Sequence, residues 1–308
     1  MSIFPTKILL ATDGSEEATL AAATASGLAN RTGSELHVLT VGPGYPYYEL
    51  PDYPARFEEV VDAQRREARE VLDEQVGKIE ESGGTVEEAH LEMGTPPGRA
   101  IVHLGEELGA GLVVVGGRGL SPMKRTVMGS VSSSVVHHAH CPVLVVRGER
   151  RDYLQGKILL ALDGSEESSV AARAAVELAD RMESELHVVH VGEVRPVYHP
   201  ERHGYQALYE ELQERAQRLL DEQVNEIRSA GGTVANAHLR MGRPDEEIVV
   251  LGEEIAAGLI VTGSRGLRGM RRALMGSVSD SVVRHANCPV MVVRREKEPQ
   301  GGGRYGAS

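Results

Sequence analysis

Apolar residues along the chain fall into two kinds of run. Short runs rich in Val, Ile and Leu occupy Lys7 to Thr12, Glu35 to Val41, Thr85 to Glu92, Leu112 to Gly116 and Val143 to Val146. Runs of that length and type predict strands buried on both faces, as in parallel sheets. Longer stretches between them carry a helical period. In the clearest, FEEVVDAQRREAREVLDEQVGKIEES from Phe57, the residues Val60, Val61, Ala68, Val71, Leu72, Val76 and Ile79 form one stripe and the charges lie outside it. Gly83 and Gly84 mark its end. Strand and helix alternate, which predicts βαβ units, right-handed crossovers and an open doubly wound sheet. Ligands of such sheets bind beyond the carboxyl ends of the strands, where the strand order reverses.

The whole pattern occurs twice. KILLATDGSEE from Lys7 returns as KILLALDGSEE from Lys157, and SELHVLTVG from Ser34 as SELHVVHVG from Ser184. GGTVEEAHLEMG from Gly83 pairs with GGTVANAHLRMG from Gly231, and AHCPVLVVR from Ala139 with ANCPVMVVR from Ala286. The offset falls from 150 to 148 to 147, which places the length changes between Gly42 and Gly83 and between Gly94 and Ala100, both expected to be loops. The repeating unit is therefore a whole domain. The expected organisation is one domain over residues 1-148, a short charged linker over 149-156, a second domain over 157-295 and a disordered tail over 296-308.

At 308 residues the chain is long enough for two ordinary cores, and 41% hydrophobic with 25% charged residues is globular usage. A formal net charge of -12 argues against a general nucleic-acid or anionic-membrane binder, so any phosphate site must be local. Cys141 and Cys288 occupy matching places inside CPV and read as reduced thiols, not as a disulfide framework. The opening MSIFPTKILLATDG lacks a basic region followed by a long apolar one, and no apolar run is long enough to span a bilayer. A cytoplasmic protein is expected.

Two loops keep one frame: Gly116, two residues, Gly119, nine residues, Gly129-Ser130; and Gly263, two residues, Gly266, nine residues, Gly276-Ser277. Each follows a buried strand and opens a helix. Glycines admit close backbone approach, and the free amides of a first helical turn, with the helix dipole, favour an anion. The alternative, that Ser130 and Ser277 only cap helices, is the weaker reading because the frame persists while neighbouring loops change length. No GxxxxGK[ST] occurs, and no GxGxxG follows the first strand of either half.

With its G-x2-G-x9-G-[ST] frame complete in both halves, its two DGSE openings and its CPVLVV and CPVMVV endings, the chain resembles a tandem universal stress protein of the ATP-binding type. The resemblance covers nearly all of residues 5 to 147 and 155 to 294. It implies two Rossmann-like, adenine nucleotide alpha hydrolase-like α/β domains, each a five-stranded parallel sheet of order 3-2-1-4-5, binding ATP or another adenine nucleotide with Mg2+. It further implies that the two domains pair through their last strands within one chain, with a further homodimer open. Carried over by position, Ala11, Thr12 and Asp13, with Ala161, Leu162 and Asp163, face the nucleoside, while Val41 and Val191 offer backbone to adenine. Gly116, Gly119, Gly129, Ser130 and Ser132 hold phosphates in the first half, and Gly263, Gly266, Gly276, Ser277 and Ser279 do so in the second. The expected sites also take in Val131 and Val278, and Arg118 and Arg265, which suit either phosphate or a solvated rim of charge. The change from Thr12 to Leu162 removes a hydroxyl beside the second nucleoside.

Three other features compete for attention. HHAHC at His137 to Cys141 has metal-like spacing, yet the second half reads RHANC, and basic groups at a helix end complement its dipole. Lys124, Arg125, Arg271 and Arg272, inside the loops, suit either phosphate or solvent. Tyr45, Tyr47, Tyr48, Tyr53, Tyr198, Tyr205 and Tyr209 cluster after each second strand and suit packing, a lid or a docking surface. The function expected is a nucleotide-binding regulatory or stress-response protein. The alternatives are a slow ATP-hydrolysing or nucleotidyl-transferring enzyme, and an oligomerising scaffold with vestigial pockets. No SGGxDS-like first loop and no repeated nucleophile arrangement supports the enzyme.

Overall fold

A computed structural model describes residues 3-43, 54-119, 128-148, 156-193, 205-266 and 275-294. The tyrosine-rich segments up to Tyr53 and Tyr198, the four basic residues inside the glycine loops, the linker up to residue 155 and the tail lie outside the described residues.

The first half runs β1 (Lys7–Thr12), α1 (Glu16–Thr32), β2 (Glu35–Gly42), α2 (Pro54–Glu81), β3 (Glu88–Met93), α3 (Pro97–Leu108), β4 (Leu112–Gly116), α4 (Ser130–His138) and β5 (Val143–Val146). The second half repeats it as β6 (Lys157–Leu162), α5 (Glu166–Met182), β7 (Glu185–Glu193), α6 (Tyr205–Ser229), β8 (Asn236–Gly242), α7 (Pro244–Glu254), β9 (Leu259–Gly263), α8 (Ser277–His285) and β10 (Val290–Val293). Among the described residues the strands form one ten-stranded sheet, ordered β3-β2-β1-β4-β5-β10-β9-β6-β7-β8. Each half thus has the parallel order 3-2-1-4-5 that the resemblance implies. The halves join where β5 and β10 pair antiparallel, Leu144 opposite Met291. That junction reverses strand direction, so the carboxyl ends of the two halves' strands lie at opposite ends of the sheet.

Helices cover both faces. Residues of α1, α2, α5 and α6 pack with Leu10, Val38, Leu160 and Val188 on one side; residues of α3, α4, α7 and α8 pack with Leu9, Val115, Leu159 and Val292 on the other. Both clusters run through the two halves without a break, so burial of the β5–β10 seam continues the core of each half.

The stripe on α2 is mostly as its period predicts: Ala68, Leu72 and Ile79 are buried, and Val61, Val71 and Val76 half-buried. Val60 is the exception at 44% exposure. Gln75, unmarked by the pattern, is buried on that face instead. The third strand begins at Glu88, not Thr85; the segment before it is held to β2 by a hydrogen bond from Glu87 N to Leu36 O (2.8 Å). As an edge strand, β3 is only partly covered.

Candidate nucleotide site

In each half the site grows from the ends of the first, second and fourth strands. Beyond β1 the chain turns through Gly14, whose φ of +78 lies in the left-handed region, and Asp13 Oδ1 accepts a hydrogen bond from Ser15 N (3.1 Å). Ser15 then caps α1, its side chain accepting from Ala18 N at 3.2 Å. The second half copies this at Asp163, Gly164 and Ser165.

Next door, Gly116 ends β4, where a Cβ would meet Ala18 N at 3.1 Å. Gly119 is tighter: a Cβ there would lie 2.3 Å from Asp13 Oδ2, and one at Gly266 would lie 2.4 Å from Asp163 Oδ2. The carboxylate from β1 and the glycine loop from β4 are thus in direct apposition. The loop returns at Gly129, whose amide donates to Gly117 O (2.8 Å); Gly276 N donates to Ser264 O (2.7 Å).

Gly129 and Gly276 are the N-caps of α4 and α8 and, as glycines, cap them with no side chain. Ser130 and Ser277 are therefore first helical residues, exposed to solvent, and neither caps its helix. Ser132 and Ser279 are buried: Ser132 Oγ donates to Gly116 O at 2.6 Å, and Ser279 Oγ to Ser264 O at 3.1 Å. Their hydroxyls close the loop onto the strand. Val131 and Val278 pack on the core below.

Beyond the first strand of each half, β1–β2 pairing stops at Thr12–Thr40 and β6–β7 pairing at Leu162–His190. Val41 and Val191 therefore present a β2 or β7 edge that has lost its neighbouring strand, while the other edge still pairs with Glu92 or Arg240. Ala11, half-buried, and Ala161, buried, stand one residue before the end of each first strand. Thr12 Oγ1 accepts from Gly14 N (3.3 Å). Leu162 cannot, and His190 stands where the first half has Thr40, its Nδ1 hydrogen-bonded to Leu162 O at 2.8 Å. Of these differences between the halves, the sequence reading marked only Thr12 against Leu162.

Arg118 does not stand apart as a free phosphate clamp: it is ion-paired and hydrogen-bonded to Glu17 in the first turn of α1. Glu17 was missed, although DGSEE recurs in both halves. Two further arginines, Arg147 and Arg294 at the ends of the repeated VVR, were missed as well. Arg147 lies beside Gly117 and donates from Nη1 to Arg284 O and Ala286 O, 3.0 Å each, at the far end of α8. Arg294 donates to Val136 O in α4. Burial lowers the pKa of both guanidiniums, with neighbouring Glu17 opposing the shift at Arg147; Arg294 falls to about 10. Each half's last strand so reaches the other half's cradle helix.

The HHAHC residues are engaged separately. Nδ1 of His137 and of His138 contact the helix carbonyls of Ser133 and Ser134 at 2.7 Å, and His140 Nδ1 lies 2.7 Å from Glu106 Oε1. Burial pushes the thiols of Cys141 and Cys288 up to about 12, and both are free cysteines.

The model of the universal stress protein family matches residues 5–147 and 156–294. The chain belongs to the universal stress protein family. A universal stress protein of Mycolicibacterium smegmatis is 35% identical over 191 residues, 60% of this chain; the chain spans only 62% of that relative's length. One from Methanocaldococcus jannaschii is 34% identical over 146 residues, 47% of this chain and 85% of its own. Among solved structures, a universal stress protein of Archaeoglobus fulgidus superposes with a TM-score of 0.68 at 26% identity, covering 96% of this chain and 98% of that one. A functionally unknown protein of Pseudomonas aeruginosa, at 20% identity and a TM-score of 0.67 over 94% of this chain and 92% of its own, shares the fold. No helix among the described residues is long and apolar enough to cross a membrane.

Proposed function

We propose that this universal stress protein binds an adenine nucleotide, ATP, in each of its two cradles and acts as a regulatory stress-response protein whose output is conformational. The observation that carries the reading is the apposition of Asp13 with Gly119 and of Asp163 with Gly266, where no side chain fits. It brings together a carboxylate suited to sugar hydroxyls, bare backbone, and the amino end of a nine-residue helix that no side chain caps. Mg2+ takes oxygen ligands and keeps phosphates among them. The exposed hydroxyls of Ser130 and Ser277 and the carboxylates of Asp13 and Asp163 are the donors that would hold it beside the phosphates.

Mass spectrometry of small molecules released by denaturing freshly purified full-length protein tests the ligand. Calorimetry with MgATP on stripped protein tests the sites, with two per chain expected. Protein that releases no nucleotide and shows neither heat nor thermal shift with ATP would leave an oligomerising scaffold as the better account. Labelled-phosphate release should stay well below about 1 per second, the low end of ordinary enzymatic turnover. A rate above that, lost on changing Ser130 or Ser277, would make the protein an enzyme.

A further inference from the structure

At the other end of the first half's strands, away from the cradle, a second cluster forms. His37 lies near the start of β2, and Glu88 and His90 at the start of β3; His37 is in register with Glu88. One donor atom from each residue falls within 4.8 Å of the others, and they are the one group of three such residues among those described. His37 is 3% exposed, His90 is half-buried and Glu88 is open to solvent, so the cluster has a fixed floor and an accessible mouth. Val41 lies four residues further along β2, about 13 Å of strand.

The distances suit an ion. His37 Nδ1 and His90 Nε2 lie within hydrogen-bond reach at 3.3 Å. Two imidazole nitrogens bound at about 2.0–2.1 Å to one tetrahedral zinc are separated by about 3.3 Å as well. Glu88 Oε2 lies 3.8 Å from His90 Nε2, within reach of a side-chain rotation. The other nitrogen of His37, Nε2, is buried with no hydrogen-bond partner and lies 3.7 Å from Glu35 Oε2. A histidine that ligates through one nitrogen commonly directs the other, protonated, at a carboxylate.

The second half provides the contrast. His187 Nδ1 and His238 Nε2 are 3.0 Å apart, a hydrogen-bond distance, and Asn236 takes the register position of Glu88. The histidine pair recurs there and the third ligand does not.

We propose that His37, His90 and Glu88 form a site for a divalent ion of the zinc class that ties edge strand β3 to β2 in the first half only. Nothing in it depends on the nucleotide reading. The test uses full-length, chelator-stripped, tag-free protein titrated with Zn2+ alone against a chromophoric chelator. One site per chain is expected. Glu88→Gln and His90→Gln should each weaken it at least about tenfold, while His238→Gln leaves it unchanged. Asn236→Glu should raise the stoichiometry to two. Zn2+ binding that survives both Glu88→Gln and His90→Gln would overturn the site, as would a stoichiometry that stays at one in Asn236→Glu. Because Glu88 is exposed on an edge strand, its variant separates loss of the ion from loss of the fold; thermal melts without metal should match the wild type.

Discussion

Gly129 has a φ of -64, open to any residue, and a Cβ there would sit 3.4 Å from Arg118 Cα and Gly117 O, ordinary contact. Its value is therefore the space beyond the Cβ, at the mouth of the helix. Gly129→Ala should fold and keep ATP binding in the first half, whereas Gly129→Val, with two γ carbons in the anion's path, should weaken that site tenfold or more, about 1.4 kcal/mol or greater. Calorimetric stoichiometry should fall from two to one; a stoichiometry of two in the valine variant would remove Gly129 from the cradle. The cysteines give a second prediction. Burial raises Cys141 and Cys288 to about 12, against about 8.5 for an unfolded thiol. The folded state thus favours the protonated form, and its contribution to stability is full below about pH 8.5 and lost as pH rises toward 12. Denaturation midpoints should fall between pH 8.5 and 10.5, and fall less in Cys141→Ala/Cys288→Ala.

At the scale of the element, α2 shows how a helix is held by part of its stripe. Leu72 is fully buried against the sheet, packed with Leu10 and Val38 in one cluster. Leu72→Ala should cost about 2–5 kcal/mol through lost burial and a cavity, while Val60→Ala, at an exposed position, should stay within about 0.5 kcal/mol. Gln75 is 1% exposed, with Oε1 unpaired and Nε2 only 3.5 Å from Thr19 Oγ1. A buried polar group so poorly satisfied forfeits its desolvation, so Gln75→Met should melt at or above the wild-type temperature. A clear loss of stability there would mean that the amide's contacts outweigh its burial.

At the scale of the whole molecule, the decisive feature is the β5–β10 seam. VLVV and VMVV are fully buried, and each pairs with the edge that the other would leave open. Residues 1-150 expressed alone would expose that edge, and should form a concentration-dependent homodimer in sedimentation, with a β5–β5 seam in place of β5–β10. A monomer at high concentration would show the edge covered in another way. In the intact chain Arg147 fastens the seam to the carboxyl end of α8, where carbonyl groups and the helix dipole favour a cation. Arg147→Met should lower the melting temperature, through two lost hydrogen bonds from a charged donor worth about 1.5–3 kcal/mol each at most. It should also disturb nucleotide binding in the second half, whose cradle opens at the other end of that helix.

Much of this architecture is legible in the residues themselves. The β-branched runs gave β1, β4 and β5 to the residue, because strands buried on both faces must be apolar throughout. The repeat gave the duplication, and the constant glycine frame picked out the two loops, since backbone contact tolerates few side chains. What the sequence left open depends on contacts between distant positions. The pairing of Arg118 with Glu17 and the reach of Arg147 across the seam join residues 101 and 137 or more positions apart. The meeting of His37 with His90, 53 positions apart, likewise required β2 and β3 to take one particular register. Local pattern decides which face of an element is apolar; only the packed sheet decides which polar groups that face brings together.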